Sequence, residues 1–143
     1  MTRLFILFAF CFCLLSCGDQ AAEDEQIILD YIAANNLTTQ KTDEGIYYII
    51  DVPGNSENPS INSKVTVNYK GYFLDGTEFD ANDDSEFGLW QVIQGWQIAI
   101  PLLGKGGSGT FLIPSEYAYG TTGQGSIPGN TVLAFDVTLI DFE

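Results

Sequence analysis

The chain contains no histidine, and its three cysteines, Cys11, Cys13 and Cys17, all fall within the first 17 residues. Beyond that point neither a Ser-His-Asp relay nor a Cys-His pair can be assembled. Basic residues are scarce as well: five Lys and Arg stand against 19 Asp and Glu, for a net charge of −14. A phosphate backbone needs clustered Lys and Arg, so nucleic acid is excluded as a partner. The same charge disfavours docking on anionic headgroups, and its simplest effect is solubility. There is no internal repeat. What is present is apolar: 45% of 143 residues are hydrophobic, enough for the core of one domain with a tail.

The N-terminus reads as a targeting segment. Arg3 is followed by an apolar run over residues 4–15, too short to cross a bilayer. The run ends in Leu14-Leu15-Ser16-Cys17, which looks like a bacterial lipobox. In that pattern residues 1–16 are removed as a lipoprotein signal peptide and Cys17 carries the lipid. An ordinary secretory signal and a true membrane span are the alternatives. With Cys11 and Cys13 removed and Cys17 acylated, the mature chain forms no disulfide. A multiply acylated cysteine is a stable membrane anchor.

Residues 17–25 are small and acidic and read as a solvated tether. Residues 26–37 carry Ile27, Ile28, Tyr31 and Ile32 at helical spacing, with Asn35-Asn36 as the stop, ahead of a linker to residue 45. The helix reads as a spacer, a dimerisation element or a cover for the domain, and activity is expected to survive its removal. From residue 46 onward the pattern is mostly strand. Residues 46–52 are β-branched and aromatic, and residues 65–74 alternate around Val65, Val67 and Tyr69. Asp75-Gly76 predicts a hairpin, with residues 77–80 returning and residues 81–86 forming a polar acidic loop. Residues 91–103 have helical spacing up to Pro101, and residues 111–113 and 131–142 close the pattern as strands. The sum is an α+β fold: an antiparallel sheet against one short helix.

Two motifs reduce to turns. Residues 104–109 fit G-x-G-x-x-G, but they follow a helix and precede a strand, the reverse of a dinucleotide site. Residues 80–85 begin like a calcium loop, but the sixth position lacks glycine and Gln91 stands where a bidentate Glu is needed. No metal or cofactor is expected.

The segments VTVNYKGYFLDGTEFD, FGLWQVIQGW, PLLGKGG, IPSEYAYG and SIPGNTVLAFDVTL follow one another in residues 65–139. In order and spacing they resemble the FKBP-type peptidyl-prolyl cis/trans isomerases, over residues 46–143, and the lipobox ahead of a short helix is similar to that family's bacterial lipoprotein members. The resemblance implies a twisted antiparallel sheet curled around one short helix, with a pocket between them. It implies a floor at Trp96 and aromatic walls at Tyr69, Phe79 and Phe135. Substrate carbonyls would meet the Ile93 N–H and the Tyr119 hydroxyl. Asp80 would accept a hydrogen bond near the twisting amide or from Tyr69, and Phe87, Val92 and Ile127 would complete the lining. Implied partners are proline-containing polypeptides and macrolides such as rapamycin; a monomer, lipid-anchored in the bacterial envelope, is expected.

The chemistry suits such residues. An X-Pro bond has two isomers of similar energy separated by about 18–20 kcal/mol, most of it amide resonance. The twisted transition state has lost that resonance, so an apolar, water-poor cavity tolerates it better than the planar ground state. No nucleophile or metal is required. Several positions depart from the family pattern: Ser85 replaces a wall aromatic, Trp90 a glycine, Ile98-Ala99-Ile100 a more polar run, and Pro128-Gly129 a proline pair, with Gln124 in the loop before it. A non-catalytic peptide-binding module or chaperone on the same fold is the alternative.

Overall fold

The computed structural model describes residues 17–143; the leader over residues 1–16 and the Cys17 side chain lie outside what it describes. Helix α1 (Cys17–Ala34) is followed by strands β1 (Gln40–Lys41), β2 (Tyr47–Val52), β3 (Lys64–Tyr72) and β4 (Glu78–Gly88). Helix α2 (Gln94–Ala99), β5 (Ser108–Ile113) and β6 (Leu133–Phe142) complete the set, with 3-10 turns at Leu89–Gln91, Ile100–Leu102 and Ser115–Tyr117. The six strands form one sheet in the order β1-β2-β5-β6-β3-β4, and every pairing is antiparallel. The α+β class expected from the sequence is the observed one.

Register assigns the two faces of the sheet. Tyr47 pairs with Leu112, Leu112 with Ala134, and Ala134 with Tyr72, so one row crosses four strands. The neighbouring row is Tyr48, Phe111, Phe135 and Gly71. Alternation sends these two rows to opposite faces. The second faces α2 and belongs to the main core, with Trp96, Ile100, Leu103, Val67 and Leu139. The first packs against α1 through Ile28, Tyr31 and Ile32.

That second layer corrects the expectation for residues 17–25, which are helical from Cys17 onward. Asp24 and Ile28, one turn apart, are both fully buried. A wholly buried carboxylate is tolerated only when its oxygens are hydrogen-bonded. Here Oδ2 accepts the Ser115 N–H at 2.7 Å and the Ser115 hydroxyl at 2.6 Å, and Oδ1 accepts from Gln20 at 2.8 Å. The helix stops where expected. Asn36 takes the left-handed conformation (φ 53°), and the Leu37 N–H reaches back to the Ile32 carbonyl at 3.0 Å.

Two further expectations are corrected. Residues 81–86 are no loop but the middle of β4, which pairs with β3 from Glu78 to Gly88. Their weak strand propensity is overridden by the ladder and by two irregularities. The register slips by one residue opposite Gly71/Tyr72 and again opposite Val67/Tyr69, so β4 carries two single-residue bulges. At the second, Asp84 is left-handed (φ 51°) and its N–H donates to the Asn68 side chain at 2.8 Å. Acidic side chains and bulges suit an edge strand, because both discourage pairing with another chain. The helix expected over 91–103 is shorter: Val92 and Ile93 are extended, α2 occupies only Gln94–Ala99, and Pro101 enters a 3-10 turn. Proline cannot donate to a continuing α-helix.

Because Ile28 is wholly buried between α1 and the sheet, Ile28→Ala should cost ~2–5 kcal/mol. The check is a lower urea midpoint at unchanged slope.

Candidate active site

Between β3, β4, β6 and α2 lies a cavity of about 650 Å³. Trp96, on the buried side of α2, forms its floor and is 6% exposed. Tyr69 and Phe135 meet the indole edge-on at 5.0 and 5.2 Å, and Phe87 lies tilted at 5.4 Å. Phe79 closes the wall against Phe135 at 5.6 Å and 87°. Such edge-to-face pairs add about 0.5–1.5 kcal/mol each beyond area burial. The indole Nε1–H is buried and meets no acceptor among the described residues.

The first bulge of β4 explains how Phe79 and Asp80, adjacent in sequence, both line the cavity. In a regular strand they would point to opposite faces; a bulge re-aims one of them. Gly71, facing them across the ladder, has the complementary role. A Cβ there would come within 2.6 Å of Phe79 and 2.7 Å of Phe135. The two rings meet because residue 71 has no side chain.

The polar groups are few. Tyr69 donates to Asp80 Oδ2 at 2.7 Å. Burial, aided by that hydrogen bond, pushes the Tyr69 phenol up to about 12. Burial and the negative charge of Asp80 also raise the Tyr119 phenol. Both hydroxyls therefore remain neutral donors throughout the physiological range. Val92 and Ile93 edge the opening. The Ile93 N–H donates to no group among the described residues, because its residue is the N-cap of α2 and the preceding turn has ended.

The structure thus gathers Tyr69, Phe79, Asp80, Phe87, Val92, Ile93, Trp96, Tyr119 and Phe135 around one cavity. Ile127 is the exception. It is 9% exposed and packs in the core that includes Trp96, without lining the cavity. Paired backbone bonds at 2.9 Å tie it to Gln124, and this tight turn presents Gln124 to the cavity instead. Ser85 and Gln124, both departures from the family pattern, are lining residues, joined by Asn82, Glu86 and Gln91. Asn82 and Glu86 were hidden in a segment read as loop; strand periodicity fails across a bulge. Trp90 is half exposed and stands over Gly88, outside the lining.

A half-open cavity floored by an indole, walled by rings and edged by a few polar groups has the shape and lining of a binding site for a flat apolar group. The family model for FKBP-type peptidyl-prolyl cis-trans isomerase matches residues 55–140. The FKBP-type peptidyl-prolyl cis-trans isomerase FkpA of Aeromonas hydrophila is 38% identical over 129 residues, covering 86% of this chain and 48% of that protein. FkpA of Escherichia coli K12 is 35% identical, over 87% of this chain and 47% of its own. Among solved structures, the crystal structure of FkpA from Escherichia coli aligns with a TM-score of 0.77 at 34% identity, over 88% of this chain and 62% of that one. The peptidyl-prolyl cis-trans isomerase PPIase from Pseudomonas syringae pv. tomato DC3000 aligns at 0.75 and 30% identity, over 90% of this chain and 97% of that one. The chain belongs to the FKBP-type peptidyl-prolyl cis-trans isomerase family. It spans about half the length of the FkpA sequences it matches.

Gly71→Ala should drive Phe79 and Phe135 apart and weaken proline-peptide binding, at a stability cost of ~1–3 kcal/mol. Calorimetric titration and thermal melting check the two effects. The Tyr69 shift gives a second expectation. Its folded value of about 12 lies above the ordinary tyrosine value of 10.0. The stability it contributes is therefore complete below the unfolded value and lost as pH rises through the folded one. Burial also raises Tyr47, Tyr72 and Tyr119, so alkaline titration followed by phenolate absorbance should show several tyrosines ionising late, and Tyr69→Phe should lower the late amplitude by one tyrosine.

Proposed function

We propose that this protein is a peptidyl-prolyl cis/trans isomerase that assists the folding of exported proteins by non-covalent catalysis. The observation that carries this reading is the ring-lined cavity over Trp96, with the Ile93 N–H and the Tyr119 side chain at its edge. The prolyl ring lies on the indole, and the carbonyls flanking the X-Pro bond are held by Ile93 and Tyr119. Asp80 fixes the direction of the Tyr69 hydroxyl through their 2.7 Å bond. Phe79, Phe87, Val92 and Phe135 keep water from the amide as it twists, and Ile127 supports the floor from behind.

Magnitudes apportion the work. A thousandfold acceleration requires about 4 kcal/mol of transition-state stabilisation. Two neutral hydrogen bonds contribute about 1 kcal/mol each. The rest falls to the apolar surroundings, which favour the less polar twisted amide over the planar one.

Export and anchoring rest on the sequence Leu14-Leu15-Ser16-Cys17. The protein is lipidated at Cys17 and held in the bacterial envelope, with no nucleic-acid partner and as a monomer. Because α1 begins at Cys17, the anchor is attached at the end of a helix that packs on the sheet, and the cavity is carried close to the membrane. Clients are proline-containing chains that are still folding. Macrolides such as rapamycin are candidate ligands of the same cavity.

The test is the cis-to-trans rate of proline tetrapeptides with protein from Gly18 onward. The wild type should accelerate exchange, Tyr119→Phe should lower kcat/KM about tenfold, the effect of one hydrogen bond, and Trp96→Ala should lose most of it. Rapamycin should raise the melting temperature, because a ligand that binds only the folded form stabilises it. A folded wild type with no acceleration over several residues before proline would sink the catalytic reading and leave the non-catalytic peptide-binding module, towards which the polar Ser85 and Gln124 at the cavity point.

A further inference from the structure

We propose that Asp24 of α1 is a positioning residue for Tyr119. The proposal rests on the isomerase reading above and extends it to a helix outside the matched residues 55–140. Its basis is a chain of hydrogen bonds with Ser115 at the centre. The Ser115 N–H and hydroxyl both donate to Asp24 Oδ2, at 2.7 and 2.6 Å across 91 positions of sequence. The Ser115 carbonyl in turn accepts the N–H groups of Ala118 at 3.0 Å and Gly120 at 2.8 Å. Those two residues flank Tyr119. Asp24 therefore holds the residue whose carbonyl pins the backbone on both sides of the Tyr119 side chain.

The rest of that loop needs such a root. Gly120, Gly123 and Gly125 all have left-handed backbones, and glycine loses more conformational freedom on being ordered than any other residue. Beyond the root, the loop is tied by Gly123 to the Tyr119 carbonyl and by Asn130 to the Gly120 carbonyl. Asn130 leads into β6 and Ile127 packs in the core, so these hold the far end of the loop, while Ser115 and Asp24 hold the end nearest Tyr119. Among the described residues Asp24 and Ser115 are the two buried polar residues, and they bond to each other. A buried charge is weak evidence for stability, since an apolar residue of similar size often serves as well. A carboxylate in that place supplies direction: two donors of one residue are aimed at one oxygen atom.

The test is a double-mutant cycle on kcat/KM for a proline tetrapeptide. Asp24→Ala and Tyr119→Phe should each lower kcat/KM about tenfold, and together they should lose little more than either alone. Asp24→Ala combined with Phe87→Leu, on the opposite wall, should lose the product of the separate effects. A purely structural role would give additive losses in both pairs. Additivity with Tyr119→Phe, or an undiminished rate in folded Asp24→Ala, overturns the proposal. Should Asp24→Ala fail to fold, Asp24→Asn keeps an acceptor for the Ser115 N–H and carries the same cycle with a loss of about threefold. The wild-type rate tests the isomerase reading separately. If that rate is nil, the same cycle is read on the dissociation constant of a proline peptide, with the same criteria.

Discussion

The bending of β4 around α2 is the constraint on which the site depends. A regular antiparallel edge would send alternate side chains to solvent and present one flat face to the helix. Two single-residue bulges change that. The first turns Phe79 and Asp80 toward the same cavity, and the second, held by Asn68, returns Ser85 and Phe87 to it. Gly71 leaves the space into which the bent strand brings Phe79 against Phe135. The cavity is thus made by backbone irregularities, and its rings are rigid because each is braced by another.

Each face of the sheet carries a helix, and the two helices have different tasks. Helix α2 is only six residues long and brings Trp96 beneath the cavity while its N-terminal flank leaves the Ile93 N–H unused. Such a short helix has little stability of its own and is held by tertiary packing. Helix α1 is three times as long and packs on part of the opposite face through Ile28, Tyr31 and Ile32. A salt bridge from Glu25 to Lys41, with a hydrogen bond from the Tyr47 hydroxyl at 2.8 Å, joins its exposed side to the sheet. Lys41 holds the Glu25 carboxyl below its ordinary value. At the surface such a pair adds little stability, so the helix is kept in place chiefly by its apolar face and by Asp24.

Electrostatics at the cavity follow from the same economy. The anionic group nearest the rings, Asp80, is occupied by the Tyr69 hydroxyl, and burial keeps both tyrosines neutral. An environment of neutral donors and ring faces favours a less polar twisted amide over its planar forms. Glu86 borders the cavity at an exposed position, and other carboxylates such as Glu78, Asp83 and Asp84 lie exposed along the outer edge, where they keep an open strand from recruiting another chain.

The sequence by itself determined the class of fold, the order of the main strands and most of the cavity. Alternating and β-branched runs specify β2, β3 and β6, and Asp75-Gly76 specifies the hairpin. These are local patterns, readable because each depends on spacing along the chain; that Trp96, Tyr69, Phe135 and Tyr119 are neighbours followed instead from the resemblance of five consecutive motifs to the FKBP-type isomerases. Four features were decided only by tertiary structure. The bulges of β4 are invisible to periodicity because they break it, so a strand of acidic residues looked like a loop. The extended Val92 and Ile93 interrupt apolar spacing that fits a helix equally well. Ile127 turns inward because its backbone is paired to Gln124. Asp24 looked like part of a solvated tether, since a carboxylate among acidic neighbours normally faces water; its burial requires donors from Ser115, 91 residues away, which no local pattern can announce.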